Sequence, residues 1–450
     1  MAAKKTAAKT AAKTTGTKMP ARAKKAAGKS PPKTKKAAGK KAAAPGKKAD
    51  KKPMTRAERI DALIAGTNSK LGHKAVHRAS DYESSYLLRR PTGITSLDIA
   101  LAGGIPASAP IVIVGPDGVG KDALLWRIAA ETQRIYGDDF GMAIYLTEFK
   151  ADKRFMKDLC GLKIAFTPEE LDEIDRARFK NGIHPLTEAE REHYLEQVGN
   201  IVLCDSLTAE HGLDFIMDSI DTNAFQMVIV NSIGFLQTEA KEGTESLAEF
   251  AQQSNEAILI SKFTPRCALH LNRLDEHDDR NETSVVLVNQ VRAKREQTRG
   301  RPGVPTPEKS KYTSASNAHA LKHGKALEIM LHKGKKHFND STRPPTLIGR
   351  SVDWEFTKGK LGTHDGITGT VDYFYDTGFD VYGDLAKCAV QYGVITQEGS
   401  WYTYLDEKRP EDNFKVQGSD NVRQYIVKFD LFDKIREKCF RAAGVVYRWR

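Results

Sequence analysis

The chain has 450 residues, 40% of them hydrophobic, with 70 Lys and Arg against 58 Asp and Glu and a formal net charge of +12. That length suits one large core plus one or two smaller units, since single cores stop growing near roughly 250–300 residues, and the lack of any apolar run of about 18 residues excludes a membrane-spanning helix. Cys160, Cys204, Cys267, Cys388 and Cys439 are scattered and form no C-x-x-C pair, which argues against a disulfide framework or a zinc site and for reduced thiols in the cytoplasm.

In chain order, residues 1–53 come first and hold 18 Lys and Arg against one acid, Asp50, so they carry +17 and leave −5 for the rest. Built from Lys, Ala, Gly, Pro and Thr with no aromatic residue, this tail has nothing to form a core with. It reads as a disordered arm that neutralises phosphates by counterion release. A solubility linker or a transit peptide is the alternative, although the segment has no amphipathic face. Thr55-Arg-Ala-Glu58 is a capping box, and Ile60, Leu63 and Ile64 give a short apolar stripe that asks for a partner surface, so 54–90 is assigned as an oligomerisation segment.

From Pro91 to about 364, apolar runs alternate with helical stretches, the pattern of a parallel α/β sheet. The expected strands are Ile111–Val114, Met142–Leu146, Ile201–Cys204, Met227–Val230, Val285–Val288 and Ala326–Leu331. The charged stretch 166–198 interrupts this rhythm as a surface insertion, with a solvated helical hairpin as the default. Residues 295–316 are polar, basic and rich in Pro and Gly, as a ligand-ordered loop would be. A small separate unit is expected over 365–450, where Tyr373, Phe374, Tyr375, Trp401, Tyr402, Tyr404, Phe429 and Phe432 cluster.

The chemistry starts at Gly115-Pro116-Asp117-Gly118-Val119-Gly120-Lys121-Asp122. The spacing G-x-x-x-x-G-K between a strand and a helix is that of a P-loop, in which backbone N–H groups and the helix N-terminus hold phosphate oxygens while the lysine reaches the terminal phosphates. Asp122 stands where the motif requires a Ser or Thr hydroxyl for Mg²⁺. Three strand ends point to the same carboxyl edge of the sheet. The second strand leads into Glu148, placed to activate a water. The fourth leads into Asn231, where a P-loop nucleotidase normally carries an aspartate. The fifth leads into Gln290, an amide able to sense a γ-phosphate and signal to the basic loop beyond it.

The blocks PTGITSLDIALAGGIP, TEFKAD, MVIVNSIGFL, VLVNQVRAK, SNAHALKHGKALEIML, WEFTKGK and GFDVYGDLAKCAVQYGVITQEGSWYTY, in this order, resemble the RecA family of recombinases from about Pro91 to Arg436. Within that family the chain looks most like a diverged phage recombinase of the UvsX kind. The resemblance implies a RecA-type ATPase core and a small α+β C-terminal domain, with ATP and Mg²⁺ as cofactors. Lys121, Glu148 and Gln290 are its catalytic set. Asp152 and Phe155 fall where the family contacts adenine, and Lys358 and Lys360 fall where it reaches the neighbouring subunit's ATP. Segments 237–256 and 292–316 correspond to its DNA-binding loops, with Lys241, Arg292, Lys294, Arg295, Arg299 and Arg301 as the available charges.

The activity implied is a DNA-dependent ATPase that forms a helical homo-oligomer on single-stranded DNA and exchanges strands with duplex DNA. It would work in recombination, repair and replication, in the cytoplasm (the host's, if phage-encoded), beside single-strand-binding and loader proteins. Asp122 and Asn231 together leave two readings of the metal site. Either a carboxylate has moved across Mg²⁺ and each side keeps a ligand, or the site is degenerate and the chain is a hydrolysis-deficient DNA-coating protein. A helicase core fits less well, because the C-terminal match is to the recombinase domain.

Overall fold

The computed structural model describes residues 54–72, 74–81, 88–148, 151–239, 254–272, 281–293, 312–314, 319–446 and 449. The tail 1–53, Lys241, Lys294, Arg295, Arg299 and Arg301 lie outside them, and of Arg292 only the backbone is described.

The residues before Asp61 contain a helix start capped as the sequence predicts: Glu58 N–H donates to Thr55 Oγ1, and Thr55 N–H to Glu58 Oε2. The helix, α1 (Arg56–Leu71), has no buried residue, and Leu63 is 67% exposed.

A short pairing of β1 (Arg89–Arg90) with β2 (Ile105–Pro106) brackets α2 (Thr95–Ala100). The core then follows as β3 (Pro110–Gly115), α3 (Lys121–Tyr136), β4 (Gly141–Leu146), α4 (Pro168–Lys180), α5 (Glu188–Leu195), β5 (Asn200–Cys204), α6 (Ala209–Asp221), β6 (Met227–Asn231), α7 (Ser254–Leu271), β7 (Ser284–Ala293), β8 (Tyr312–Ser314), α8 (His319–Gly324), β9 (Leu327–Asn339), β10 (Thr346–Lys358), β11 (Thr368–Phe374) and β12 (Gly378–Phe379). All six expected strands are present. β9, β3, β7, β6, β4 and β5 run parallel in that spatial order, and β10, β11 and β12 extend the sheet antiparallel beyond β9.

β3, PIVIVG, is buried at every residue, which is why it reads as a continuous apolar run: a central parallel strand is covered on both faces. Ile111 and Ile113 pack with Leu124, Leu125 and Ile128 of α3, while Val112 and Val114 pack on the opposite face with Leu213 and Ile216 of α6 and with Ile260 and Phe263 of α7. Helices on both faces make this a doubly wound, mainly parallel sheet.

Two features differ from the sequence reading. β7 does not stop at Val288 but runs to Ala293, because β8 pairs antiparallel with it from Val291 to Ala293 and supplies the hydrogen bonds that a polar segment lacks the burial to hold. Tyr373 and Phe374 belong to β11 and so to the large sheet, paired with Arg350 and Gly349. The small unit's own sheet is β13 (Ile395–Glu398), β14 (Trp401–Tyr404) and β15 (Phe414–Gln417), packed by α9 (Val381–Gln391), α10 (Ser419–Lys428) and α11 (Phe432–Ala442) around Leu385, Tyr404, Phe414, Ile426 and Ile435.

Residues 166–198 contain the expected pair of helices. Capping boxes at Thr167/Glu170 and Thr187/Glu190 start α4 and α5, and Phe166, Leu171, Leu186 and Tyr194 form a core of their own. The excursion closes on itself where Val198 N–H donates to Lys163 O at 3.3 Å. Gln133 of α3 holds both strands of this stem, donating to Lys163 O and Val198 O and accepting from Lys163 N–H.

The C-terminal helices are tied to α3 by a buried charge cluster. Arg436 of α11 donates to Glu131 at 2.6 Å with both side chains 1% exposed, Arg134 and Arg127 share the same carboxylate, and Trp449 lies 4.5 Å from the Arg436 guanidinium. Burial alone would raise the Glu131 carboxyl, but the Arg134 hydrogen bond and the charges of Arg436, Arg127 and Arg134 outweigh it and hold the group at about 2.

Candidate active site

The glycine-rich turn between β3 and α3 has the conformation its sequence demands. Gly118 and Gly120 have φ of +63° and +104°, where a side chain is strained, and a Cβ on Gly115 would stand 2.8 Å from Val119 Cγ1. Val119, 1% exposed, anchors the turn in the core while Asp117 and Gly118 are exposed at its tip. Lys121 opens α3 and folds back so that Nζ donates to Gly115 O and Pro116 O, each at 3.0 Å. Burial lowers its ammonium below the usual lysine range; Asp122, Asp117 and Glu148 counter this, and Lys333 adds to it. A buried lysine resting on backbone carbonyls, beside a glycine-rich turn that opens a helix, fits a phosphate chain.

The expected residues of the neighbouring strand ends converge here. In the parallel register Gln290 lies beside Gly115, and Asn231 beside Leu146. Glu148, half-buried, accepts from Ser232 Oγ at 2.9 Å and from Gln290 Nε2 at 3.4 Å. Asn231 Nδ2 donates to Asp122 Oδ1 at 3.0 Å, so the two positions expected to flank a metal touch. A carboxylate and an amide supply the hard oxygen donors that suit Mg²⁺. Among the described residues there is no group of three or more His, Cys, Asp or Glu able to hold a metal, and Cys267 is buried while His270 bonds Asp221. No described helix is long and apolar enough to cross a membrane.

Sequence reasoning missed the latch that sets this geometry. Thr147 N–H donates to Asn231 O at 2.9 Å, its Oγ1 donates to Ser232 O at 2.8 Å, and Ser232 N–H donates to that same Oγ1 at 2.7 Å. The ends of β4 and β6 are thereby fixed to each other, and Ser232 is aimed at Glu148.

The remaining expected residues are placed elsewhere. Asp152 is exposed and accepts from the N–H groups of Arg154 and Phe155, starting the short π-helical turn Phe155–Leu159, while Phe155 packs partly buried against the main core. Lys358 pairs with Glu328, which is level with Val112, roughly 10 Å down the strand from Gly115. Its ammonium donates to the Lys322 and His323 carbonyls at the end of α8, just before Ala326, whose N–H donates to Pro110 O at the start of β3, the opposite end of the strand from the glycine-rich turn, and Lys360 is exposed. One copy of the chain does not bring these two lysines to its own turn.

Fold and site together define a doubly wound α/β protein with a glycine-rich turn and a buried lysine at the carboxyl edge of its mainly parallel sheet. No family model matches the chain. Curated relatives do: it is 23% identical to Protein RecA of Lactobacillus johnsonii over 397 residues, covering 87% of this chain and 90% of that protein. It is 25% identical to Protein RecA of Solidesulfovibrio magneticus over 385 residues (85% and 90%), and 23% identical to Protein RecA of Streptomyces ambofaciens over 396 residues (87% and 88%). The chain is a distant relative of the RecA proteins along most of its length.

Proposed function

We propose that the chain is an ATP-dependent recombinase that assembles as a filament on single-stranded DNA and pairs and exchanges strands with a homologous duplex. The observation that carries this reading is the convergence of Lys121, Glu148, Ser232 and Gln290 at one strand edge, with Gln290 two residues before Arg292 on the same continuous strand. Lys121 holds the phosphate chain, and Glu148, oriented by Ser232, accepts a proton from the attacking water. Gln290 shares the Glu148 carboxylate, so a change at the phosphate end moves β7 and with it the root of the basic segment 294–311. Mg²⁺, when bound beside Asp122 and Asn231, supplies charge neutralisation. Lys358 and Lys360 serve a neighbouring copy's site, and the exposed stripe of α1 serves filament contacts.

The test is phosphate release with and without single-stranded DNA, together with electron microscopy of the product. Turnover raised by DNA, in filaments, supports the reading. Filaments without turnover support the rival, a DNA-coating protein, which the Asp122–Asn231 hydrogen bond favours because it occupies an oxygen that a metal would use.

A divalent ion held by Asp122 and Asn231 makes the two substitutions unequal. Asp122→Ala should lower turnover by about tenfold or more, since it removes the charge facing a divalent ion, and Asn231→Ala by less. A titration of rate against Mg²⁺ reads this as a rise in the concentration needed, and equal, negligible effects of both changes would reject a metal role for the pair. For the tail, removing residues 1–53 should weaken duplex binding and flatten log K against log salt, by about 0.9 for each phosphate that the arm neutralises, while sparing single-strand binding. An unchanged duplex slope would assign the tail to solubility or localisation.

A further inference from the structure

β9 pairs with β3 only as far as Met330, yet it continues to Asn339, so its second half projects past the glycine-rich turn. Residues on alternate positions of a strand share a face. Leu331 lies against Gly115, where a Cβ would meet Leu331 Cβ at 3.2 Å, and Lys333, two positions on, stands above it on the same side. A methyl group added to Gly118 would lie 3.9 Å from Lys333 Nζ, with no other atom within 4 Å. Lys333 pairs with buried Val352, is itself exposed, and makes no side-chain hydrogen bond or ion pair among the described residues. Its charge is felt by Lys121, whose proton affinity it lowers.

Two ammonium groups are thus directed at one turn, one from inside and one from outside, and repel each other across it. Such a pair is stabilised by an anion lying between them, and the turn amides between them are themselves anion-binding groups. We infer that Lys333 is a second lysine of the phosphate site, gripping the phosphate chain of a nucleoside triphosphate from the β9 side while Lys121 holds it from α3. This rests on the nucleotide reading of the site. Lys333 binds and positions; it accepts no proton in the reaction.

The experiment is equilibrium binding of a fluorescent ATP analogue (mant-ATP) to the full chain and to variants, each checked for an unchanged melting profile. Lys333→Ala should weaken binding about tenfold and reduce its salt dependence, as removal of one charge-assisted hydrogen bond does. Lys333→Arg should restore affinity to within about threefold, the charge being kept but not the shape. Lys336→Ala, the same loss of charge three positions farther along β9, should have no effect. If Lys121→Ala abolishes binding while Lys333→Ala matches the unaltered chain, the role of Lys333 is overturned and the nucleotide site stands. If Lys336→Ala weakens binding as much as Lys333→Ala, the effect is general charge and the specific role is overturned. If the unaltered chain does not bind the analogue, both fall.

Discussion

Glu148→Gln is expected to bind ATP and assemble on single-stranded DNA as the unaltered chain does, and to release phosphate about 10²- to 10⁴-fold more slowly, the range for loss of a positioned general base. The amide keeps the size of the carboxylate and can still accept from Ser232 Oγ, so the arrangement around β4 and β6 is preserved and only the proton acceptor is lost. Ser232→Ala tests the positioning separately. It leaves the carboxylate but removes one of the two groups that aim it, and its rate should fall less, about 10- to 100-fold, as a misplaced reacting group costs. Mant-ATP affinity and DNA-stimulated phosphate release, measured on the same preparations, read binding and turnover independently. A Glu148→Gln chain with normal turnover would remove Glu148 from the mechanism.

The second large effect concerns stability. Glu131→Ala should lower the unfolding free energy by about 3–5 kcal/mol, because it strands Arg436 in an apolar setting with Asp433 as its one remaining acid partner among the described residues. Arg436→Ala should cost less, about 2–3 kcal/mol, since Arg127 and Arg134 continue to satisfy the Glu131 carboxylate. The pH dependence has a fixed sign. Glu131 is held at about 2 in the fold against an ordinary value of 4.5, so its contribution is complete above 4.5 and fades as pH falls toward 2. Urea unfolding at pH 7 and again near pH 3 should therefore show the gap between the unaltered chain and Glu131→Ala narrowing on acidification. A gap that widened would contradict the assignment.

The parts of this protein that are legible in sequence are those that consecutive residues encode. The glycine-rich turn is eight adjacent positions with an apolar run before it and a helix after it. Of the six parallel strands, β3, β4, β6 and β7 are visible because burial on both faces makes each a short apolar block, while β5 at the sheet edge has the same apolar letters although it is largely exposed. The charged stretch 166–198 shows its helical character in its letters, and the structure adds the two capping boxes that start its helices.

What sequence does not reveal depends on which strand lies beside which. The Ser232–Glu148 contact joins the ends of β4 and β6, which are neighbours in the sheet but lie more than 80 positions apart in the chain. β7 continues past Gln290 through Val-Arg-Ala because β8 pairs with it there, and no apolar pattern marks a strand held by backbone bonding alone. Composition assigns the aromatic run Tyr373-Phe374-Tyr375 to the C-terminal unit, but it cannot tell which sheet a strand joins; pairing with β10 decides it. Lys333 escapes sequence reasoning for a related reason, since one of the three lysines in HKGKKHFN reads as part of a solvated strand until the register places it over Gly118.

The stem of the α4–α5 excursion also makes this molecule easy to instrument. Lys163 and Val198 are bonded to each other and Gln133 grips both, so the chain leaves and rejoins the core at a single pinned point. Lengthening a loop whose ends are already held together costs little, about 0.6 kcal/mol per doubling. The exposed turn at Asn181–Gly182, at the far end of the two helices, is therefore where an affinity tag or a fluorophore can be inserted while the register of β4 and β5, and the edge that carries Glu148, stay as they are.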